Sequence, residues 1–350
     1  MGIIFDLDQT IIDSRIAKEE RDNRNWRKVY DLIPQMKPYT QIVNFIKYAV
    51  GKGIEVAIVT SSPRAYCEKV LEYLEIRDVI TVCYHDTEKH KPNPEPLKLA
   101  ISKMKNQENK NIIAIGDEEK DIIAANSIPG VISVLAYWGN YTSFVNSQVR
   151  PDIFCRDEET LLRYFLSKGL ECSVYGLRNK EEHIYYMYDY YPISKKHDNL
   201  SQEVFNETKG RSDNKDILDS FCRCFLKKKI PKKPYGIFVV PSSQVGKWNE
   251  RLTEYVVPIL VNEMRLIDCS EYLYRHTPHE KQAYGGDRSI DSHLKTLEVQ
   301  YELPDLEGAF IIDDITTTGN IFKACKKLLV EQGIKKDNIY CAAIGGTVYE

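Results

Sequence analysis

Ile3-Ile4-Phe5-Asp6-Leu7-Asp8-Gln9-Thr10 lies almost at the start of this 350-residue chain, an apolar run that leads into two carboxylates two positions apart. An extended run alternates its side chains, so Asp6 and Asp8 point the same way as the chain leaves the strand. Like charges held so close repel unless a proton or a cation sits between them. The pair therefore implies Mg2+ and a phosphate site shared with it. An aspartate in such a place can also act as a nucleophile.

Further along, apolar runs at residues 54–59, 79–83, 111–115 and 131–135 alternate with segments of helical period up to about residue 168. That alternation predicts a parallel sheet wrapped by helices. Open parallel sheets place their chemistry beyond the carboxyl ends of the strands, so the residues after each run matter most. After the first come Asp6, Asp8 and Thr10, and after the second Thr60 and Ser61. The third is followed by Lys91 in His90-Lys91-Pro92-Asn93-Pro94, and the fourth by Gly116-Asp117-Glu118-Glu119-Lys120-Asp121. Asp117 and Asp121 are one helical turn apart. Each set alone is explained by a helix cap or a turn. Together they predict a metal held by carboxylates, a phosphate clamped by a hydroxyl and an ammonium, and a nucleophile in line with it.

In this order the four sets resemble the haloacid dehalogenase (HAD) superfamily of phosphohydrolases over residues 1–168. The resemblance implies that Asp6 forms an aspartyl-phosphate and that Asp8 protonates the leaving oxygen and later activates water. It gives Thr60 and Lys91 the phosphoryl oxygens. Asp6, Asp117 and the backbone carbonyl of Asp8 would hold Mg2+, with Thr10, Ser61 and Asp121 in support. Leaving-group protonation suits phosphate esters rather than carbon–halogen bonds, which favours a phosphatase. The cap that governs substrate choice in this superfamily is here minimal, residues 11–38, with residues 16–32 read as one charged helix. An open site of this kind accepts a large substrate or takes another domain as its lid. Lys18, Arg21, Arg24, Arg27 and Lys28 are interleaved with acids, so a solvated face is expected in preference to a phosphate-attracting rim.

Composition sets outer limits. At 43% hydrophobic and 28% charged residues, the chain reads as a soluble globular protein with room for two cores. A formal net charge of -3 argues against a surface that coats nucleic acid. Nine cysteines without C-x-x-C spacing read as reduced thiols, with Cys222 and Cys224 filling a core from a helix. With no leader and no apolar run of membrane length, a cytoplasmic location is expected. The basic run at residues 227–233 complements a helix end, a nucleic-acid contact being the lesser alternative.

The first pattern ends at about residues 168–172, and a new run begins near Val174. A tyrosine-rich strand at residues 184–191, a polar loop at 195–213 and a helix at 214–228 follow. The second chemical centre is Ala309-Phe310-Ile311-Ile312-Asp313-Asp314-Ile315-Thr316-Thr317-Thr318-Gly319, leading into a helical pattern at residues 321–329. Threonine hydroxyls and backbone N–H groups at a helix start cradle phosphate, and neighbouring acids bind sugar hydroxyls.

This stretch resembles the phosphoribosyl pyrophosphate (PRPP) loop of type I phosphoribosyltransferases, in their ComF-like branch. By that resemblance Asp313 and Asp314 hold the ribose hydroxyls, and Thr316, Thr317, Thr318 and Gly319 hold the 5-phosphate. Ser242 and Ser243, in Val239-Val240-Pro241-Ser242-Ser243, receive pyrophosphate. Tyr274-Arg275-His276-Thr277 with Gln282, Arg288 and His293 forms a hood, where Arg275 and Arg288 stabilise departing pyrophosphate beside a second Mg2+. Lys209-Gly210-Arg211 is similar to a further basic turn of that branch. The chain departs from the branch in having no zinc-ribbon cysteines, and in Ile321 standing where Thr or Ser is common.

The resulting expectation is an α/β protein of two domains, residues 1–168 and 173–350, each a parallel-sheet Rossmann-like sandwich. Its function would be an Mg2+-dependent phosphatase fused to a phosphoribosyltransferase acting on PRPP and a base-like acceptor, in nucleotide or nucleoside-like metabolism. The alternatives are a PRPP- or nucleotide-sensing second domain that regulates the phosphatase, and a ComF-like DNA-handling role. The expected partners are a small phosphorylated metabolite and PRPP, with no membrane and no oligomeric state legible.

Overall fold

The computed structural model describes residues 1–105, 112–140, 147–170, 177–192, 198–226, 234–278 and 289–348. Among them the chain forms two compact units, one holding Met1–Phe165 and the other Leu166–Leu170 with the described residues from 177 onward. The expected start of the second domain at residue 173 lies outside the described residues.

In the first unit, six strands form one parallel sheet. They are β1 (Gly2–Phe5), β2 (Glu55–Val59), β3 (Ile80–Val82), β4 (Ile112–Gly116), β5 (Val131–Ala136) and β6 (Ile153–Cys155), in the order β3-β2-β1-β4-β5-β6. β1 lies between β2 and β4, with Ile3 opposite both Val56 and Ile113. All four of its residues are buried, as a strand covered on both faces requires. Helix Thr40–Gly51 turns Ile42, Val43, Phe45, Ile46 and Ala49 inward at helical spacing. Phe45 meets Phe5 edge-on at 6.5 Å, and side chains of this size contribute roughly 1.5–3 kcal/mol each when fully buried. β6 is too short to stand out in the sequence. It is fixed by Asp152, whose Oδ2 accepts from the Ser133 backbone N–H at 2.8 Å and hydroxyl at 3.1 Å.

The insert after β1 is two helices, Lys18–Asp22 and Trp26–Leu32, and not the single helix expected. Arg24, at φ 56°, breaks the run in the left-handed region. A short antiparallel pair, Ile12–Asp13 with Lys37–Pro38, ties the two ends of the insert together.

The second unit has its own six-stranded sheet: β7 (Arg178–Glu181), β8 (Ile184–Tyr190), β9 (Tyr235–Val239), β10 (Ile267–Asp268), β11 (Gly308–Thr316) and β12 (Ile339–Thr347). The order is β10-β9-β11-β12-β8-β7. It is mixed where a wholly parallel sheet was expected, because β7 runs antiparallel to β8. The two-residue turn Glu182-His183, with His183 at φ 60°, folds β7 back. Phe238, Ile311, Phe322, Cys325, Leu329 and Cys341 lie in its core.

Within the span 195–213, expected as a polar loop, residues up to 197 lie outside the described ones, but Asn199–Thr208 is a helix. Asp198 caps it by accepting from the Ser201 N–H at 2.8 Å. Leu200, Val204 and Thr208 recur every four residues on its buried face. Next comes helix Asp216–Leu226, which buries Cys222 and Cys224. The basic run 227–233 lies outside the described residues.

Glu207 joins these two helices by accepting from the Ile217 N–H at 2.9 Å. Burial pushes its carboxyl from 4.5 up to about 7. The native chain therefore keeps a proton that the unfolded chain has already released. The stability this gives is complete below pH 4.5 and is lost as the pH rises towards 7. Glu207→Gln is expected to lose less unfolding free energy than the wild type between pH 5 and pH 7.5 in urea titrations, and parallel curves would contradict this.

Candidate active site

β1 delivers the first acid. The Asp6 backbone N–H donates to the Ile115 carbonyl at 2.8 Å, continuing the pairing with β4 one residue past the strand, and the residue is only 9% exposed. The chain then turns sharply, with Gln9 in the left-handed region at φ 61°. Two backbone bonds close the turn, Gln9 N–H to the Ile12 carbonyl at 2.8 Å and Ile11 N–H to the Leu7 carbonyl at 3.0 Å. A residue so placed costs on the order of 1–3 kcal/mol and persists only where its surroundings hold it. Gly139 is part of that support. A Cβ there would meet the Gln9 carbonyl oxygen at 2.0 Å and the Asp117 Cβ at 2.9 Å, so only glycine fits behind both.

Lys91 is the hub of the site. Its ammonium, almost wholly buried, donates to Asp6 Oδ1 at 2.6 Å and to Asp121 Oδ1 at 2.7 Å. Asp121 is itself anchored, its Oδ2 accepting from the Glu118 N–H at 3.1 Å. Gly116 lets Asp121 close in, since a Cβ at Gly116 would meet the Asp121 Cβ at 2.4 Å. Asp117 is buried and accepts from the Thr10 hydroxyl at 3.3 Å. Burial raises the Asp117 carboxyl to about 9, with Asp6 and Asp121 adding to the effect. It also raises Asp6 to about 7 against the pull of Lys91. Burial alone would favour the neutral amine of Lys91, but Asp121 and Asp6 hold its pKa above the ordinary lysine value.

Asp8 has a separate set of partners. Its Oδ1 accepts from the Ser14 hydroxyl at 2.5 Å and the Tyr66 hydroxyl at 2.8 Å, and also pairs with Arg21 Nη1. Its Oδ2 accepts from the Ser62 hydroxyl at 2.9 Å. Ser61, expected in support of the site, is exposed, and it is Ser62 that reaches Asp8. Thr60 is buried, and its hydroxyl oxygen accepts from the Ser62 N–H at 3.1 Å. Of the five cationic residues read as a solvated face, Lys18, Arg24, Arg27 and Lys28 are exposed, whereas Arg21 turns inward to Asp8. Helical spacing gave no sign of that, because the break at Arg24 changes which face points where.

The donor set suits a hard divalent cation. Asp6, Asp117 and Asp121 each offer an oxygen, and these atoms lie within 4.8 Å of one another. With one ammonium among three carboxylates, two negative charges are left uncompensated when all are ionised, which is what Mg2+ would neutralise. Asp121 already has both oxygens engaged, so Asp6 and Asp117 are the better-placed ligands and Asp121 orients Lys91.

In the second unit, Asp313 and Asp314 lie within β11 and not beyond its end. β12 is equally long and keeps pairing as far as Thr316 with Gly346. β9, on the other side, stops at Val239 opposite Ile312, so both acids emerge just past its carboxyl end. Asp314 Oδ2 pairs with the Lys209 ammonium and accepts from Asn249 Nδ2 at 2.8 Å. Burial and the neighbouring Asp314 push the Asp313 carboxyl well above its ordinary range. Thr316 is buried, Thr317 half-buried and Thr318 exposed, and Gly319, at φ 78°, starts helix Asn320–Glu331. Ser242 and Ser243 are half-buried in the loop after β9. Arg275 is buried, with Nε donating to the Ser242 carbonyl at 2.6 Å and Nη1 to the Thr296 hydroxyl. It braces that loop instead of presenting a free guanidinium. His276 and Thr277 are exposed and His293 buried, while Gln282 and Arg288 lie outside the described residues.

Residues 16–134 match a family model described as haloacid dehalogenase-like hydrolase, a span that contains Thr60, Lys91, Asp117 and Asp121. Over 131 residues the chain is 32% identical to a protein provisionally named pyrophosphatase PpaX from Caldanaerobacter subterraneus subsp. tengcongensis, covering 36% of this chain and 59% of that protein. Over 130 residues it is 31% identical to the pyrophosphatase PpaX of Halalkalibacterium halodurans, again covering 36% and 59%. The chain thus spans well under two thirds of the length of these curated relatives. A solved hydrolase from Pseudomonas syringae superposes at a TM-score of 0.39 and 19% identity, over 47% of this chain and 97% of that one. Among the described residues, no helix is long and apolar enough to cross a membrane.

Mg2+ is expected to raise the unfolding midpoint, because a ligand that binds only the folded chain stabilises it by mass action. Asp117→Asn should abolish most of that increase, whereas Asp8→Asn, whose side chain faces Arg21, should retain it. Equal responses from the two variants in a thermal-shift titration would contradict the ligand assignment.

Proposed function

We propose that the first unit is an Mg2+-dependent phosphohydrolase acting on small phosphate esters or anhydrides through Asp6. The observation that carries this reading is Lys91 bridging Asp6 and Asp121 at 2.6 and 2.7 Å, beside Asp117, where three separate chain segments converge. The family match over residues 16–134 supports it. Asp6 attacks phosphorus and becomes an aspartyl-phosphate, while the leaving oxygen takes a proton from Asp8. Lys91 and the Thr60 hydroxyl steady the phosphoryl oxygens as charge builds on them. Asp8, now a carboxylate, takes a proton from the water that splits the aspartyl-phosphate, regenerating both acids. Bound Mg2+ would neutralise charge on Asp6, Asp117 and the phosphoryl group.

For the second unit the proposal is a phosphoribosyltransferase-like site, in which Asp313 and Asp314 hold ribose hydroxyls and residues 316–319 the 5-phosphate of PRPP. The acid pair just past the end of β9, beside a threonine-rich turn that opens a helix, favours this reading. Ile321 removes one phosphate contact common in such loops, so a PRPP-sensing role remains the alternative, with the ComF-like DNA-handling role behind it. The two proposals meet in pyrophosphate, which transfer from PRPP releases and which is the anhydride named in the relatives' activity.

Asp6→Asn is expected to fold normally and to lose phosphohydrolase turnover by several orders of magnitude; surviving activity would mean that the nucleophile is misassigned. With PRPP, a panel of bases and Mg2+, this variant should accumulate pyrophosphate where the wild type releases orthophosphate. If calorimetry shows PRPP binding while no base gives pyrophosphate, the sensing role replaces transfer.

A further inference from the structure

Arg21 stands on the first helix of the insert, and its Nη1 pairs with Asp8 Oδ1. Among the described residues Asp8 is the guanidinium's only recorded ion-pair partner. Arginine carries five N–H donors in a planar fork suited to two anionic oxygens at once. The Arg21 side chain is 18% exposed, so it is neither buried in the insert nor free in solvent. It is held beside the acid assigned to the leaving group and feels the charge of Asp6 across the site.

Asp8 already has Ser14, Tyr66 and Ser62 as donors, so its position does not depend on Arg21 alone. A cation that is surplus to holding Asp8, and that lies beside the acid assigned to the leaving oxygen, suits a leaving group carrying its own negative charge.

Building on the phosphohydrolase reading, we infer that Arg21 determines specificity by binding an anionic group on the leaving side of the substrate. The substrate class is then a phosphate ester or anhydride with a second anion, a carboxylate or a phosphoryl group, close to the bridging oxygen. Asp8 and that anion share the guanidinium, one at Nη1 and the other at the remaining donors. The exposed Lys18, Arg24, Arg27 and Lys28 take no part.

The test compares three substrates: a phosphorylated 2-hydroxy acid, the same ester with its carboxylate converted to a primary amide, and inorganic pyrophosphate. The wild type should prefer the carboxylate ester and pyrophosphate to the amide. Arg21→Gln should lower kcat/KM on the two anionic substrates by about 10- to 150-fold, the range expected for hydrogen bonds to a charged group. The amide should lose far less, so that the preference collapses. Arg21→Lys should keep part of the preference, because it retains the charge but not the fork.

Equal losses on ester and amide would overturn the inference, since Arg21 would then act only through Asp8. A wild type that splits the amide as fast as the carboxylate ester would overturn it too, while leaving the phosphohydrolase reading intact. A wild type that splits none of the three would remove that reading and this inference with it.

Discussion

The first unit depends on one buried ammonium placed among three carboxylates. Lys91 neutralises one of the charges on Asp6, Asp117 and Asp121, and its bonds to Asp6 and Asp121 fix the distance between β1 and the start of helix Glu119–Asn126. Burying such a cluster is costly unless the charges are balanced, and burial, with Asp6 and Asp121 close by, raises the carboxyl of Asp117. The same imbalance that burdens the folded chain without a cation suits the site to a divalent cation. Asp8, two residues from Asp6, is kept out of this cluster by its own partners, Arg21, Ser14, Tyr66 and Ser62. Two neighbouring acids thus have two electrostatic environments, Asp6 beside an ammonium and two further carboxylates, Asp8 beside a guanidinium and three hydroxyls.

Much of this was legible in the sequence because a parallel sheet collects the ends of its strands along one edge. Asp6, Lys91 and Asp117, which the structure gathers, each follow an apolar run in the sequence. Contacts made across the chain could not be read in that way. Ser62, and not Ser61, reaches Asp8, because a one-residue difference in a turn reverses which side chain faces inward. The inward turn of Arg21 depends on a helix break that charge patterning does not reveal. Gly139 supports the Gln9 turn from more than a hundred residues away, and nothing local marks it.

In the second unit the apolar strands and the start of helix Asn320–Glu331 were legible, while the extent of β11 was not. The acids Asp313 and Asp314 look like a strand end in the sequence, but β12 holds them in the sheet. Helix Asn199–Thr208 was hidden by its polar composition, although Asp198 and the four-residue spacing of Leu200, Val204 and Thr208 mark it in retrospect. Its consequence is chemical as well as structural, because Lys209 follows directly and pairs with Asp314.

The central claim is that Asp6 becomes phosphorylated during turnover. The most direct measurement is a rapid acid quench of the wild type turning over a phosphate ester with Mg2+, followed by peptide mapping by mass spectrometry. The account predicts a hydroxylamine-labile phosphoryl group on Asp6. A phosphoryl group on any other residue, or turnover with an unmodified Asp6 at every quench time, would contradict it.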